Sequence, residues 1–219
     1  YAAGAPTRLS AAAPDDAPYG LIEGPRVLHL LVVGWLSGSS IGVQSYELGV
    51  AYQFAENLAS STGRGVEWES LAPDRPRLPG IAASVRGLDG LGSFDFIVLS
   101  PGVMDVLSFA PLRLWRQELE RLLVFLAEKT SSRARVLVTG IPDVSGYVQV
   151  GPMVRSILSD DSRRFSAAVA EACARTPKTE FVKMPPVEKS DFVDGAFSYA
   201  SLYRRWGAFL ASRATAHLG

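Results

Sequence analysis

An uninterrupted run of apolar residues, Val27-Leu28-His29-Leu30-Leu31-Val32-Val33-Gly34, decides how this chain is expected to fold. A strand that is covered on both faces has apolar side chains at nearly every position rather than at alternate ones. The run therefore predicts a central strand of a sheet with helices on both sides. His29 lies inside this run, which favours a core or edge histidine over a catalytic base.

Strand-like and helical patterns alternate along the rest of the chain. The predicted strands are Val66–Leu71, Phe94–Ser100, Arg135–Gly140 and Glu180–Met184. Helical spacing covers Ser45–Thr62, Ile81–Leu88, Leu112–Lys129, a segment up to Ala174, and Tyr199–Ala214, whereas the three prolines of Pro73–Pro79 predict a stiff loop. Such alternation implies βαβ units with right-handed crossovers. The expected fold is α/β, with three layers, flavodoxin-like, built on a five-stranded and mostly parallel sheet.

The length of 219 residues suits one domain with a sizeable core. We assign residues 27–214 to that domain and residues 215–219 to a tail. Residues 1–26 are rich in Ala, Pro, Gly and Asp, and this composition predicts a flexible leader or linker, or alternatively an arm packed over the domain. Because the chain starts at Tyr1, we expect a longer product, either cytoplasmic or tethered or exported through a preceding segment. Any membrane association would depend on that segment, since no stretch here reaches about 20 apolar residues.

Charge and cysteine content exclude several functions. Lys+Arg and Asp+Glu both number 22, so the formal net charge is zero and the basic surplus of a nucleic-acid binder is missing. The single cysteine, Cys173, lies in an apolar helical pattern and is expected to be a buried structural thiol. His29 and His217 share no ligand spacing, so we expect neither a metal site nor a cofactor.

The segments to inspect for function follow the predicted strands, because ligands of open parallel sheets bind beyond the carboxyl ends of the strands. These segments are Trp35–Gln44, Pro73–Gly80, Pro101–Phe109, Ile141–Pro152 and Pro185–Ser198.

The first of these segments carries a family resemblance. The string Val33-Gly34-Trp35-Leu36-Ser37-Gly38-Ser39-Ser40-Ile41-Gly42-Val43 resembles the nucleophile block of SGNH (GDSL-type) hydrolases of the actinobacterial type. Its strand, Gly34 and the Gly42-Val43 pair match that block. The reactive positions differ, because Trp35 stands where the family has Asp and Leu36 stands where it has the serine nucleophile.

Three later blocks of the family are similar in order but also altered. Arg75 or a neighbour replaces the glycine whose backbone N–H serves the oxyanion hole. In Gly102-Val103-Met104-Asp105, Met104 takes the place of the oxyanion-binding asparagine. In the Asp-x-x-His block before the last helix, Asp194 is retained and Phe197 replaces the histidine. The resemblance thus implies the SGNH-hydrolase fold in a degenerate member.

These replacements remove the chemistry of ester hydrolysis. A serine needs a base to take its proton, and the developing oxyanion needs hydrogen-bond donors. Leu36, Phe197 and Met104 supply neither nucleophile, base nor donor. The sequence therefore predicts a pseudoenzyme that acts in binding or as a structural or regulatory partner, with an active homologue or a lipid or acyl ligand as the expected partner.

The alternative hypothesis is that the protein is a weak serine esterase or acyltransferase. Gly38-Ser39-Ser40 is itself a GDS-like string, so Ser40, or the nearby Ser37, is a candidate nucleophile in a rearranged site. The string supplies no histidine, however.

The altered residues also define a candidate ligand site. Trp35, Leu36, Met104 and Phe197 are expected to meet at one mouth, where they either fill the old pocket or form an apolar patch for a ligand. Arg75 is expected beside them and could pair with an anionic group. Asp105 belongs to the same candidate set, although an Asp in a turn or before a helix, as Asp194 is, commonly bonds local backbone N–H groups.

Overall fold

The computed structural model describes residues 13–146, 148, 150–193 and 196–218. Its strands are β1 (Tyr19–Ile22), β2 (Leu28–Gly34), β3 (Val66–Leu71), β4 (Phe96–Ser100), β5 (Arg135–Thr139) and β6 (Thr179–Val182), and they form one six-stranded sheet in the order β1-β3-β2-β4-β5-β6. Strands β2 to β6 are parallel, and β1 alone runs antiparallel to its neighbour. A separate two-stranded hairpin joins β7 (Phe192–Val193) to β8 (Ala196–Phe197).

Helices cover both faces of the sheet. They are α1 (Trp35–Gly38), α2 (Val50–Thr62), α3 (Leu78–Arg86), α4 (Val103–Leu107), α5 (Leu112–Lys129), α6 (Pro152–Arg175) and α7 (Tyr199–Thr215). Alternate residues of β2 enter two separate cores: Leu31 and Val33 pack with α3, α5 and α6, whereas Leu30 and Val32 pack with α2 and α7. The continuous apolar run thus forms a strand buried on both sides, and the predicted three-layer α/β architecture is confirmed.

The sheet has six strands rather than the five predicted, because part of the expected leader belongs to it. Tyr19–Ile22 pairs with β3 from Tyr19↔Glu69 to Ile22↔Val66. Upstream of β1, the Asp16 carboxylate accepts hydrogen bonds from the Ser45 hydroxyl at 2.7 Å and from the Tyr46 N–H at 3.0 Å. The described part of residues 1–26 is therefore tied to the domain, as in the alternative of a packed arm.

The Pro73–Pro79 loop is shorter than expected because α3 starts at Leu78. Pro79 occupies the first turn of this helix, where the missing N–H costs no intrahelical hydrogen bond. The remaining predicted elements agree with the structure within a few residues at their ends.

Candidate functional site

The exit from the central strand is a tight turn built on two glycines. A side chain at Gly34 would meet Ser37 Oγ at 2.7 Å and Ser100 Cβ at 2.8 Å, and one at Gly38 would overlap the carbonyl of Leu71. Only glycine lets α1 lie flat across the carboxyl ends of β3 and β4. This packing places Trp35, Leu36 and Ser37 at the ligand-binding edge of the sheet.

These residues surround a very small cavity, which we call the edge cavity. Its volume is about 30 Å³, against roughly 300–1,000 Å³ for typical ligand sites. Leu36 is buried in its wall, and Met104 lies opposite at the start of α4. The full lining consists of Trp35, Leu36, Ser37, Pro76, Ser100, Pro101, Gly102, Val103, Met104, Thr139, Pro142, Met184 and Trp206. The space beside Leu36 and Met104 is therefore far smaller than a typical ligand site.

Phe197 does not lie at this cavity, contrary to the expectation that it would join Trp35, Leu36 and Met104. It sits in the β7–β8 hairpin, where its ring centroid is 5.6 Å from that of its cross-strand partner Phe192 and 4.9 Å from that of Tyr199. The hairpin register pairs Phe197 with aromatic neighbours, so its ring packs there. Asp194 lies outside the described residues.

Several residues of the edge cavity are not evident from the sequence. Met184 follows β6, Trp206 lies on α7, and Pro76 comes from the loop after β3. From α7 the hydroxyl of Tyr203 also donates to the carbonyl of Ile41 at 2.8 Å and lies 3.4 Å from that of Leu36. The helical pattern of α7 indicates that Tyr203 and Trp206 are buried, but it does not indicate which end of the sheet they cover.

The two candidate serines occupy different places. Ser37 is 1% exposed and lines the edge cavity, and its hydroxyl has no hydrogen-bond partner among the described residues. Ser40 is fully buried against Gly49, where any side chain would overlap its hydroxyl, and it does not line the edge cavity. Only Ser37 is therefore placed at the edge where a nucleophile would act.

Both histidines lie at the amino ends of the strands, on the opposite side of the sheet from the edge cavity. His29 Nδ1 is 2.8 Å from Glu67 Oε2 at the amino end of β3, and His217 Nε2 is 2.6 Å from Glu180 Oε2 near the start of β6. Although burial would raise the pKa of Glu180, hydrogen bonds from His217 and Arg213 lower it below its ordinary value. His29 and Gly34 are five residue steps apart along β2, a distance of about 16 Å at roughly 3.3 Å per residue. Neither histidine can accept a proton from Ser37.

Asp105 caps a helix rather than facing the edge cavity. Its carboxylate accepts a hydrogen bond from the Leu78 N–H at 3.0 Å, at the first residue of α3. Burial raises the pKa of Asp105 above its ordinary value, and the N–H groups of Leu78 and Trp115 and the charge of Arg77 offset only part of that rise. The expected bond within its own loop is thus replaced by a bond to another element.

Arg75 is also separated from Leu36 and Met104. It lines a second cavity of about 460 Å³ together with Asp105, on the other side of the α3 start. Its neighbour Pro76 lines both cavities, and proline has no N–H to offer an oxyanion. The predicted ligand residues therefore divide between the two cavities, apart from Phe197, which lines neither.

Solved structures with the same architecture cover most of the chain. The esterase Est24, a carbohydrate acetylesterase from Sinorhizobium meliloti, matches with a TM-score of 0.58 at 16% identity over 86% of this chain and 99% of its own. TesA matches with a TM-score of 0.58 at 19% identity over 87% and 97% of the two chains. The M. smegmatis aryl esterase matches with a TM-score of 0.57 at 15% identity over 86% and 99%.

The chain has the SGNH-hydrolase fold. At these identities the likeness concerns the fold, and activity has to be argued from the site. No protein-family model and no curated protein matches the chain.

The single cysteine of the chain is buried. Burial raises the pKa of the Cys173 thiol to about 11, which keeps it protonated near neutral pH. Among the described residues no three His, Cys, Asp or Glu side chains are grouped so as to hold a metal ion. The described helices also include none with the length and apolarity needed to cross a bilayer.

Proposed function

We propose that this SGNH-fold protein is catalytically inactive and acts by binding, as a structural or regulatory partner. The observation that carries the proposal is the edge cavity, where Leu36 and Met104 leave about 30 Å³ at the carboxyl ends of the strands. Such a volume holds about one water molecule. An ester group positioned for attack does not fit there without rearrangement.

The chemistry of the lining supports the same conclusion. A serine hydroxyl is a poor nucleophile until a neighbouring base takes its proton. Neither histidine can serve Ser37 as that base, because both are paired with glutamates at the amino ends of the strands, and the Ser37 hydroxyl has no hydrogen-bond partner among the described residues. Removal of one oxyanion donor from a well-studied protease costs about 3–4 kcal/mol of transition-state stabilisation. Here the Met104 side chain has no hydrogen-bond donor, and Pro76 has no backbone N–H.

A weak esterase that uses Ser37 is the second candidate. Its support is that the Ser37 hydroxyl lines the edge cavity without a hydrogen-bond partner among the described residues, and that Est24 and the aryl esterase are esterases by name. The cavity would have to open for an acyl group to reach that hydroxyl.

The two candidates are separated by covalent labelling and turnover. We would treat wild type, Ser37→Ala and Ser40→Ala with a fluorophosphonate probe and measure p-nitrophenyl acetate hydrolysis, with an active esterase of the same fold as positive control. The proposal expects all three proteins to give background labelling and background turnover. Labelling and turnover that persist in Ser40→Ala and vanish in Ser37→Ala would overturn it.

A further inference from the structure

The second cavity, which we call the Arg75 pocket, has the size of a ligand site. Its volume is about 460 Å³ and it lies between the first turn of α3 and the α4–α5 connection. Arg75 and Arg77 lie on one side, and Ala110, Pro111 and Leu114 lie on the other. The pocket shares only Pro76 with the edge cavity.

One wall of the Arg75 pocket is apolar and accessible. Leu114 is 62% exposed, so its side chain is accessible to a ligand from the pocket. Beside it the ring of Trp115 and the prolines at positions 79 and 111 supply further apolar surface. This wall suits the hydrocarbon part of a ligand.

The opposite wall carries positive charge from two exposed arginines, although the charge of Arg77 also acts on the buried carboxylate of Asp105. Arg75 and Arg77 are exposed, and neither forms a salt bridge among the described residues. The acidic residues of the pocket are engaged elsewhere: Glu118 pairs with Arg86 at 2.8 Å, and Asp105 accepts the Leu78 N–H.

The loop that bears the arginines is held against α3. A side chain at Gly80 would overlap the carbonyl of Arg75, so glycine is required for this close approach. The N–H groups of Gly80 and Ile81 donate to the carbonyl of Arg77 at 2.9 and 3.1 Å. Both guanidinium groups therefore start from a fixed backbone on the same side of the pocket, which lowers the entropy lost on binding.

From this arrangement we propose that the Arg75 pocket binds a small amphipathic anion. Its oxyanion head, a carboxylate or a phosphate, pairs with Arg75 and Arg77, and its hydrocarbon chain lies along Leu114 and Pro111. Guanidinium groups bind both head groups with paired hydrogen bonds. The proposal is independent of whether Ser37 is reactive, because the pocket does not include Ser37.

Direct binding to the full chain tests this proposal. Octanoate, octyl phosphate, octanol and octyltrimethylammonium would be titrated by calorimetry, with backbone amide NMR shifts to locate the site. We expect one or both anions to saturate a single site that shifts the amides of residues 75–80 and 110–118, and to bind at least about tenfold more tightly than the neutral and cationic probes. Which anion binds more tightly identifies the head group.

Matched variants assign the contacts. Arg75→Gln with Arg77→Gln should weaken anion binding at least about tenfold, whereas Arg113→Gln, an exposed arginine outside the pocket, should not. Leu114→Ala should weaken binding, whereas Val124→Ala, 48% exposed on the same helix, should not. No saturable binding, or binding that is equal for all four probes or unchanged in the double arginine variant, would refute the proposal. A negative result here leaves the labelling experiment on Ser37 unaffected.

Discussion

Asp105 is a buried carboxylate whose charge costs stability. Its raised pKa means that the native state favours the protonated form, so its stabilising contribution is present below the unfolded pKa of about 3.8 and is lost as pH rises through the folded value. We expect Asp105→Asn, which keeps an acceptor for the Leu78 N–H, to gain stability relative to wild type as pH rises from acid to neutral. The gain amounts to about 1.4 kcal/mol for each unit by which folding raises the pKa.

Urea unfolding of both proteins between pH 3 and pH 7 measures this difference. Asp74→Asn, which removes an exposed carboxylate from the loop after β3, controls for the loss of a negative charge. A stability difference between Asp105→Asn and wild type that stays constant across this range would contradict the prediction.

For single residues, the sequence shows which family positions are replaced more reliably than it shows where the replacing side chains lie. Leu36 and Met104 follow buried strands directly, so strand geometry fixes their edge, and both line the edge cavity. Phe197 lies far along its connection, and Asp105, although next to Met104 on α4, lines the other cavity; the direction of both side chains depends on contacts with other elements. For Phe197 those contacts are aromatic, and for Asp105 they are the amide of α3. Neither contact has a signature in the local sequence.

Helices α2 and α7 pack so closely that one glycine separates them. A Cβ at Gly207 would lie 2.5 Å from the backbone carbon of Gln53 and 2.7 Å from the nitrogen of Phe54. Because backbone cannot rotate away, Gly207→Ala should force the helices apart and lower the free energy of unfolding by about 1–3 kcal/mol. Chemical denaturation measures the loss.

Gly87→Ala is the matched control for this substitution. Gly87 ends α3 at φ −84° and ψ −4°, and the nearest atom to an added Cβ would be the Ala83 carbonyl oxygen at 3.5 Å. This variant should be neutral or more stable, because alanine restricts the unfolded chain. Equal losses in both variants would show that the Gly207 contact is not the cause.

The elements themselves were predictable because their periodic patterns are long. The predicted bounds of α5 and β3 match the structure at both ends. Apolar residues recur at helical spacing along α5 and at every second position along β3. The three prolines of Pro73–Pro79 hide the start of α3 in the sequence, because a proline that breaks a helix interior is tolerated in a first turn, where Pro79 lies. The contact at Gly207 joins two distant elements and has no local pattern.

At the scale of the whole molecule, β1 closes one edge of the sheet. The four residues of β1 follow Pro18, and Tyr19 and Leu21 among them are exposed, so their sequence resembles a linker more than a strand. They form a strand by pairing with β3. The pairing also covers Trp68, which is 4% exposed and packs against Gly20. A strand this short is specified by its neighbour rather than by its own residues.

Removing residues 1–24 should therefore lower the stability of the domain relative to a variant that lacks only residues 1–12. The longer deletion loses the β1–β3 ladder, the bond from the Ser70 N–H to the Pro18 carbonyl, and the bonds from Ser45 and Tyr46 to Asp16. It keeps the bond from the Gly65 N–H to the Pro25 carbonyl. With each bond contributing roughly 1 kcal/mol net, we expect the free energy of unfolding in urea to fall by about 2–4 kcal/mol.

The loss of β1 should also promote self-association, measured by sedimentation velocity, because β3 would become an unpaired edge strand with free N–H and C=O groups. If the two deletions unfold at the same urea concentration and both stay monomeric, β1 contributes nothing to the domain.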